Sequence, residues 1–410
     1  MSVFICDTIT GGGKSSAAIT YMNEHPEKKF LYVTPYLSEV ERIKSACPAL
    51  NFKTPSSDKM PKRDHLNYLL ACQENIVSTH ALFGAYTNYT VSLIAAGYYT
   101  LIMDEVFSVV EAIKINTDDV DHMFRGGLVA MAEDNEHIDW VDGTYNGTRF
   151  TDVRGKAEMN NLIRYKNKLM YWTFPVETFE AFEDVYILCY MFDAQIQRYY
   201  YDMHGIEYTY MGTRREEDGT FRFSYDWYIP EYTKTLKDKI HILDDEKLNR
   251  IGESRCALSS NWYKDAAKTK DKPALKKMGN NIYNVFRHKM GGAGSEFCMW
   301  TTFKSARAGL ERNGLKKNFV FCNARATNEY AHKTHLAYCV NIFIDPDLAG
   351  YFRGHGITVD GDRYALSEMV QWVWRSAIRS GEEIWLYVPS KRMRELFTDW
   401  LDRLAAGERC

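Results

Sequence analysis

The sequence predicts an α/β chain of two tandem parallel-sheet domains, the first carrying an inserted subdomain. Three observations carry this expectation. The 410 residues, 45% of them hydrophobic, exceed what one compact core ordinarily holds, so two domains are the natural division. The opening "VFIC", "TITGGG" and "KSSAAITYMNEH" read as strand, glycine loop and helix. Further on, "KFLYVTPYLSEVERI", "ENIVSTHALF" and "YYTLIMDEVF" each run from an apolar strand into a polar turn, the β–α alternation of a parallel sheet.

The glycine loop comes first in the chain and carries specific chemistry. Phosphate binding needs backbone N–H groups facing inward without Cβ obstruction, at the positive end of a helix dipole, with an ammonium in reach. Gly11, Gly13 and Lys14 supply those parts, and Ser15 offers a hydroxyl for magnesium. Thr8 stands where the G-x-x-x-x-G-K-[ST] pattern has its first glycine, so the match is to a relaxed x-x-T-G-x-G-K-[ST] form. Taken alone, the stretch also fits a glycine turn at a strand end. A second site tips the balance. In "LIMDEVF" a buried strand ends in Asp104 and Glu105, which puts one carboxylate beside a magnesium water shell and the next near an attacking water.

Other features bound the function. The formal net charge of −3 excludes a globally basic nucleic-acid coat, though positive charge confined to one cleft remains open. Nine cysteines without a CxxC pair argue for reduced thiols and against a metal–thiolate site. "MSVFICD" lacks the pattern of a signal peptide and no stretch is long enough to span a bilayer, so a cytoplasmic protein with no membrane partner is expected.

Domain 1 is expected over residues 1–200, interrupted by an insertion at about 107–184, and domain 2 over 201–410. Within the insertion, "VDHMFRGGLVAMAEDN" and "KAEMNNLIRYKNKLMYW" read as helices flanking a polar β pair, "HIDWVDGTYNGTRFTDV". "IEYTYMGTRREEDGTFRFSYDW" alternates across a glycine turn and reads as a hairpin opening domain 2. The lysine-rich segment from Lys264 to Lys289 interleaves cations with Tyr283 and Phe286. It reads either as a phosphate track with stacking support or as a solvated helix face.

These residues resemble the superfamily 2 helicases and translocases built from two RecA-like domains, especially small phage-type members. "TITGGGKSS" is similar to motif I, "VTPYLSEVERI" to Ia, "VSTHALF" to the DNA-contacting motif that follows, and "LIMDEVF" to motif II. "YILCYMFDAQIQRYYYDMHGIEY" resembles the motif III segment, with Cys189-Tyr190-Met191 in place of Ser/Thr-Ala-Thr. "FCMWTTFKSARAGL", "FVFCNARATNEYAHKTHLAY" and "ALSEMVQWVWRSAIRSGEEIWLYVPS" resemble motifs IV, V and VI. The order of the motifs is itself the strongest part of the likeness.

The resemblance implies ATP and Mg²⁺ as cofactors. Thr10, Gly11, Gly12, Gly13, Lys14, Ser15 and Ser16 would hold the nucleotide, Ser15 and Asp104 the metal, and Glu105 the attacking water. Gln371, Arg375 and Arg379 would serve the transferring phosphoryl group. Nucleic acid, DNA in preference to RNA, would meet Thr34, Pro35, Thr79 and His80 in domain 1 and Arg325, Thr327 and Asn328 in domain 2, with phage or host replication proteins as further partners. Motif VI departs from its family in spacing, its arginines falling four and eight residues after Gln371, with Trp374 where glycine is common. On a regular helix Arg375 lies about 40° from Gln371 and Arg379 about 80°, so Arg375 is expected nearer the γ-phosphate. Two alternatives stay open: a packaging-type ATPase, whose nuclease acids Asp345, Asp347, Asp360 and Asp362 would imitate, and an ATP-gated DNA loader with little unwinding.

Overall fold

The computed structural model describes all residues except 114, 167, 168, 227–229, 293, 313, 323–327, 409 and 410. They divide into two compact units. The first holds Met1–Thr8, Gly13–Trp227 and Ala349–Val359, the second Ile9–Gly12, Tyr228–Leu348 and Asp360–Cys410.

The first unit is built on a seven-stranded sheet. Its strands are β1 (Ser2–Asp7), β2 (Lys29–Thr34), β3 (Ile76–Thr79), β4 (Tyr99–Asp104), β10 (Asp184–Cys189), β11 (Thr209–Arg215) and β12 (Phe221–Ser224), in the order β12-β11-β1-β10-β4-β2-β3. All neighbours pair in parallel except the β11/β12 hairpin. β4 is buried at all six positions, the continuous apolar run of a strand covered on both faces. Helices Lys14–Glu24 and Leu37–Ala46 cover one face through Ala18, Met22, Val40 and Ile43, which pack with Phe30, Tyr32 and Ile102.

The hairpin corrects one expectation. β11 pairs with β1, Phe4 opposite Thr209, and Phe223 of β12 stacks on Tyr186 at 5.3 Å. It therefore closes the first unit's sheet and does not open domain 2. Alternation identified the hairpin, but strand alternation carries no information about which sheet accepts the edge.

Five short strands fill the insertion: β5 (Val110–Ala112), β6 (Val129–Met131), β7 (Ile138–Trp140), β8 (Leu162–Tyr165) and β9 (Leu169–Thr173), with β5-β9-β8 as one antiparallel sheet and β6-β7 as another. Helices Thr117–Arg125 and Thr151–Glu158 pack Val120, Met123 and Val153 against Val129, Ile138, Leu162 and Met170. Both expected helices are thus cut short. Gly126-Gly127, the second with φ +69°, stops the first, and Asn160 with φ +57° stops the second, each a left-handed break that an interior helix position does not tolerate. Beyond Asn160 the aromatic and aliphatic residues pair as strands.

A segment from late in the chain also belongs to the first unit. Tyr351 lies against Tyr171 at 6.1 Å and donates to Glu136 Oε1 at 2.8 Å, and His355 pairs with the same carboxylate at 3.2 Å. In place of a single boundary near residue 200, the chain changes unit five times, at 8/9, 12/13, 227/228, 348/349 and 359/360.

The second unit carries four parallel strands, β13 (Ile240–Ile242), β14 (Cys298–Thr301), β15 (His335–Tyr338) and β16 (Ile384–Tyr387), in the order β13-β16-β15-β14. Tyr263, Leu275, Met278, Ile282 and Phe286 pack against Trp300, Ala337 and Tyr387 to make its core. Both units are RecA-like, and the first contains the insertion.

Candidate nucleotide site

β1 delivers the glycine loop at its C-terminal end. The Asp7 carboxylate accepts from Met191 N at 2.8 Å and Phe192 N at 3.2 Å, tying the end of β1 to the turn after β10. Gly12 N donates to Ile9 O at 2.9 Å, and Gly11 and Gly13 take φ +86° and +84°. Gly13 is doubly constrained, because a Cβ there would sit 2.1 Å from the Phe221 ring. Helix Lys14–Glu24 starts immediately after it, with no side-chain cap and no acidic residue in its first turn. Its first N–H groups and dipole are therefore offered to an external anion. Lys14 Nζ donates to Thr8 O at 2.6 Å, folded back along the loop it would leave to meet a phosphate.

β4 delivers the acid pair at the same end of the same sheet, with only β10 between it and β1. Asp104 is buried. Its Oδ2 accepts from Thr34 Oγ1 at 3.5 Å, and His80 Nε2 donates to its backbone carbonyl at 2.9 Å. Burial first, then the Glu105 and Glu39 carboxylates, push the Asp104 carboxyl up to about 7, against the pull of Lys14 and Arg42. Glu105 adopts φ +66° with its N–H on Leu188 O at 3.0 Å. A non-glycine residue held in the left-handed region stores strain of order 1–3 kcal/mol, a cost that persists where the neighbouring structure over-determines the backbone.

The donor set here could hold a phosphate group and a divalent cation. A desolvated carboxylate is relieved by a dication, and the Tyr32 hydroxyl lies close enough to Asp104 to feel its charge. The Tyr32 hydroxyl is buried without a well-formed hydrogen bond, facing Ser15, and burial and Asp104 push it well above its ordinary range. Among the described residues no group of three or more His, Cys, Asp or Glu is placed to hold a metal. One carboxylate and one hydroxyl, the remainder being phosphate and water, is the sparse set that magnesium takes.

The other expected site residues divide. Thr34 and His80, both expected to meet nucleic acid, are buried around Asp104, Thr34 Oγ1 on its carboxylate and His80 Nε2 on its carbonyl. Pro35 and Thr79 are half-buried just beyond and at the ends of β2 and β3. Arg325 and Thr327 lie outside the described residues, as does the side chain of Asn328, which opens a short turn to Tyr330. Gln371 lies half-buried on helix Gly361–Val373. That helix ends before either arginine. Arg375 is 5% exposed in the turn beyond, Ser376 is extended, and Arg379 is exposed on the short turn Ala377–Ser380. The single regular helix assumed for the three side chains is therefore corrected; Ser376 resets the backbone direction between the arginines.

Three of the four aspartates of the nuclease alternative, Asp345, Asp360 and Asp362, cap or brace helices, and Asp347 lies in the first turn of helix Pro346–Gly354. Asp345 Oδ1 accepts from Asp347 N and Leu348 N at 2.8 and 3.2 Å, Asp360 Oδ1 from Asp362 N and Arg363 N at 3.0 and 2.9 Å, and Asp362 pairs with Arg392 at 2.6 Å. Sequence reasoning missed Asp7, Tyr32 and Phe221. Asp7 carries a legible signal, a carboxylate ending an apolar strand; the other two are set by packing.

Comparison with known proteins follows from this geometry. Residues 234–401 match the family model described as the YonV C-terminal Rossmann-like domain, and residues 110–172 match the YonV middle domain. The SPbeta prophage-derived uncharacterized protein YonV of Bacillus subtilis (strain 168) is 40% identical over 414 residues, covering 98% of each chain. The solved structure named XPD_Helicase is similar with a TM-score of 0.50 at 10% identity, over 99% of this chain and 95% of that one. At that identity the likeness is one of fold alone. Among the described residues no helix is long and apolar enough to cross a membrane.

Proposed function

The chain belongs to the YonV family, and we propose that it is an ATP-dependent helicase or translocase that acts on nucleic acid, DNA before RNA, in the replication or recombination of phage-type genomes. The observation that carries this reading is the pairing of an uncapped glycine loop after β1 with a buried Asp104 and a strained Glu105 after β4, one strand apart in one parallel sheet. In this reading Gly11 to Ser16 wrap the phosphates with backbone N–H groups, and Lys14 exchanges the Thr8 carbonyl for a terminal phosphate. Asp104 and Ser15 hold magnesium, which when bound neutralises phosphate charge. Glu105 orients the attacking water and accepts its proton. Gln371, Arg375 and Arg379 stabilise the charge that develops in transfer, a role worth about 10³ to 10⁵ in rate when an arginine performs it.

The helix-capping roles of Asp345 and Asp360 favour this reading over a packaging ATPase with its own nuclease. An ATP-gated loader differs by acting stoichiometrically. ATP hydrolysis measured with single-stranded DNA, duplex DNA, RNA and no nucleic acid tests the proposal: stimulation by a nucleic acid supports it, and hydrolysis indifferent to all three refutes it.

A further inference from the structure

The most basic stretch of the chain is not at the nucleotide site. Residues 264–317 hold 13 Lys and Arg against four Asp and Glu, in a chain whose formal net charge is −3. The fold gathers part of this charge onto one ridge of the second unit. Lys276, Asn280, Tyr283 and Arg287 recur at three- and four-residue spacing along helix Pro273–Asn284 and the wider turn Val285–Lys289 that continues it, so they form one stripe. The opposite face, Leu275, Met278, Ile282 and Phe286, is core. Phe286 is thereby removed as a stacking ring, while Tyr283 stays 39% exposed with the Arg287 guanidinium 5.9 Å from its centroid.

A second segment is stapled along the stripe. Arg312 donates to Asn280 Oδ1 at 2.9 Å and to Lys276 O at 2.8 Å, lying over Gly279, where a Cβ would be 2.6 Å from its Cζ. This fixes the stretch leading to Lys316 and Lys317, whose turn is held by Arg307 Nη2 on Lys316 O at 3.3 Å. Glu311, the acid of this segment, is occupied by Arg307 at 2.6 Å. Lys276, Lys277, Arg287, Lys316 and Lys317 are all exposed, and among the described residues none of them forms a salt bridge. These five exposed cations, without a salt bridge among the described residues, accompany one exposed ring, Tyr283.

We propose that this ridge is a track for single-stranded nucleic acid, with phosphates on Lys276, Lys277, Arg287, Lys316 and Lys317 and a base stacked on Tyr283. The inference rests on the nucleic-acid function proposed above and adds a contact surface outside the helicase-like motifs. A single strand uses both features, since its backbone is polyanionic and every base has a face for the ring. An acidic protein surface would use the cations and gain nothing from Tyr283.

The test uses the full chain and labelled single-stranded DNA, single-stranded RNA and duplex DNA oligonucleotides, with affinity measured across a salt series. Replacing Lys276, Lys277 and Arg287 together by Gln removes three phosphate contacts at about 0.7 each, so the slope of log affinity against log salt shallows by about 2. Affinity at moderate salt falls at least about tenfold. Tyr283→Ala weakens binding by about tenfold with the slope unchanged, and Tyr283→Phe restores it. Thermal midpoint and ATP hydrolysis without nucleic acid stay at wild-type values in all three. A triple variant with wild-type affinity and slope overturns the track and leaves the proposed function standing. Loss confined to duplex binding overturns the choice of a single strand. A wild-type chain that binds no oligonucleotide at low salt overturns both the track and the function.

Discussion

Asp104→Asn separates the cost of the acid pair from its use. The folded chain holds the Asp104 carboxyl at about 7 against an ordinary value of 3.8, a difference of about three pH units. At about 1.36 kcal/mol per unit, ionised Asp104 costs the folded, metal-free chain at most about 4 kcal/mol. The sign follows from which state keeps its proton. Between pH 3.8 and about 7 the unfolded chain has ionised while the folded chain has not, so stability falls across that window and the loss is complete above it. Asparagine is neutral throughout and keeps a group for Thr34 Oγ1 to meet. The variant is therefore expected to melt higher than wild type near about pH 8 in the absence of magnesium and nucleotide, by up to about 16 °C at about 2–4 °C per kcal/mol. The gain shrinks toward about pH 4. Addition of magnesium and ATP should raise the wild-type midpoint and leave the variant's nearly unmoved, because the site then lacks its anionic ligand. The assay is thermal denaturation over a pH series. A variant that melts below wild type near pH 8, or by the same interval at every pH, refutes the reasoning.

Gly13→Ala places a methyl in the Phe221 ring at a φ of +84°, so it is expected to lose both ATP binding and more than about 1 kcal/mol of stability; adding Phe221→Ala recovers part of the stability, read by denaturant unfolding, and not the binding. Glu105→Gln keeps ATP and magnesium affinity while turnover falls about 100-fold or more, as separate equilibrium-binding and single-turnover measurements will show. Arg379→Ala, on an exposed turn, lowers turnover at saturating ATP without shifting the thermal midpoint. Arg375→Ala lowers both, since its side chain is buried, and an unshifted midpoint in that variant contradicts this placement.

Much of the first unit was legible because its signals are local. Strand, loop and helix at residues 2–24 and the acids closing β4 are written as contiguous composition, and a glycine with positive φ is read directly from its lack of a side chain. What failed depended on partners distant in sequence. "KAEMNNLIRYKNKLMYW" has enough helix formers to mislead, and only the pairing of Leu162 with Trp172 and Ile163 with Tyr171 decides for strands. Thr34 ends β2 and His80 follows β3, where a surface motif would stand, yet both turn inward to Asp104. Exposure is a property of the assembled sheet. The regular helix assumed for the arginine pair failed for a different reason: spacing was converted to angle on a continuous helix, and the extended Ser376 broke that continuity.

The central claim is that the glycine loop and the acid pair form an engine for nucleic-acid-dependent ATP hydrolysis. Its most direct test is steady-state turnover of the full chain with magnesium and ATP, with and without single-stranded DNA, set beside Lys14→Ala. The account predicts hydrolysis that rises on adding DNA, and loss of nearly all of it in a variant that keeps the wild-type thermal midpoint. Lys14 is half-buried at the first position of helix Lys14–Glu24, outside the apolar core, and its ammonium meets Thr8 O. Turnover in Lys14→Ala equal to that of the wild type contradicts the account.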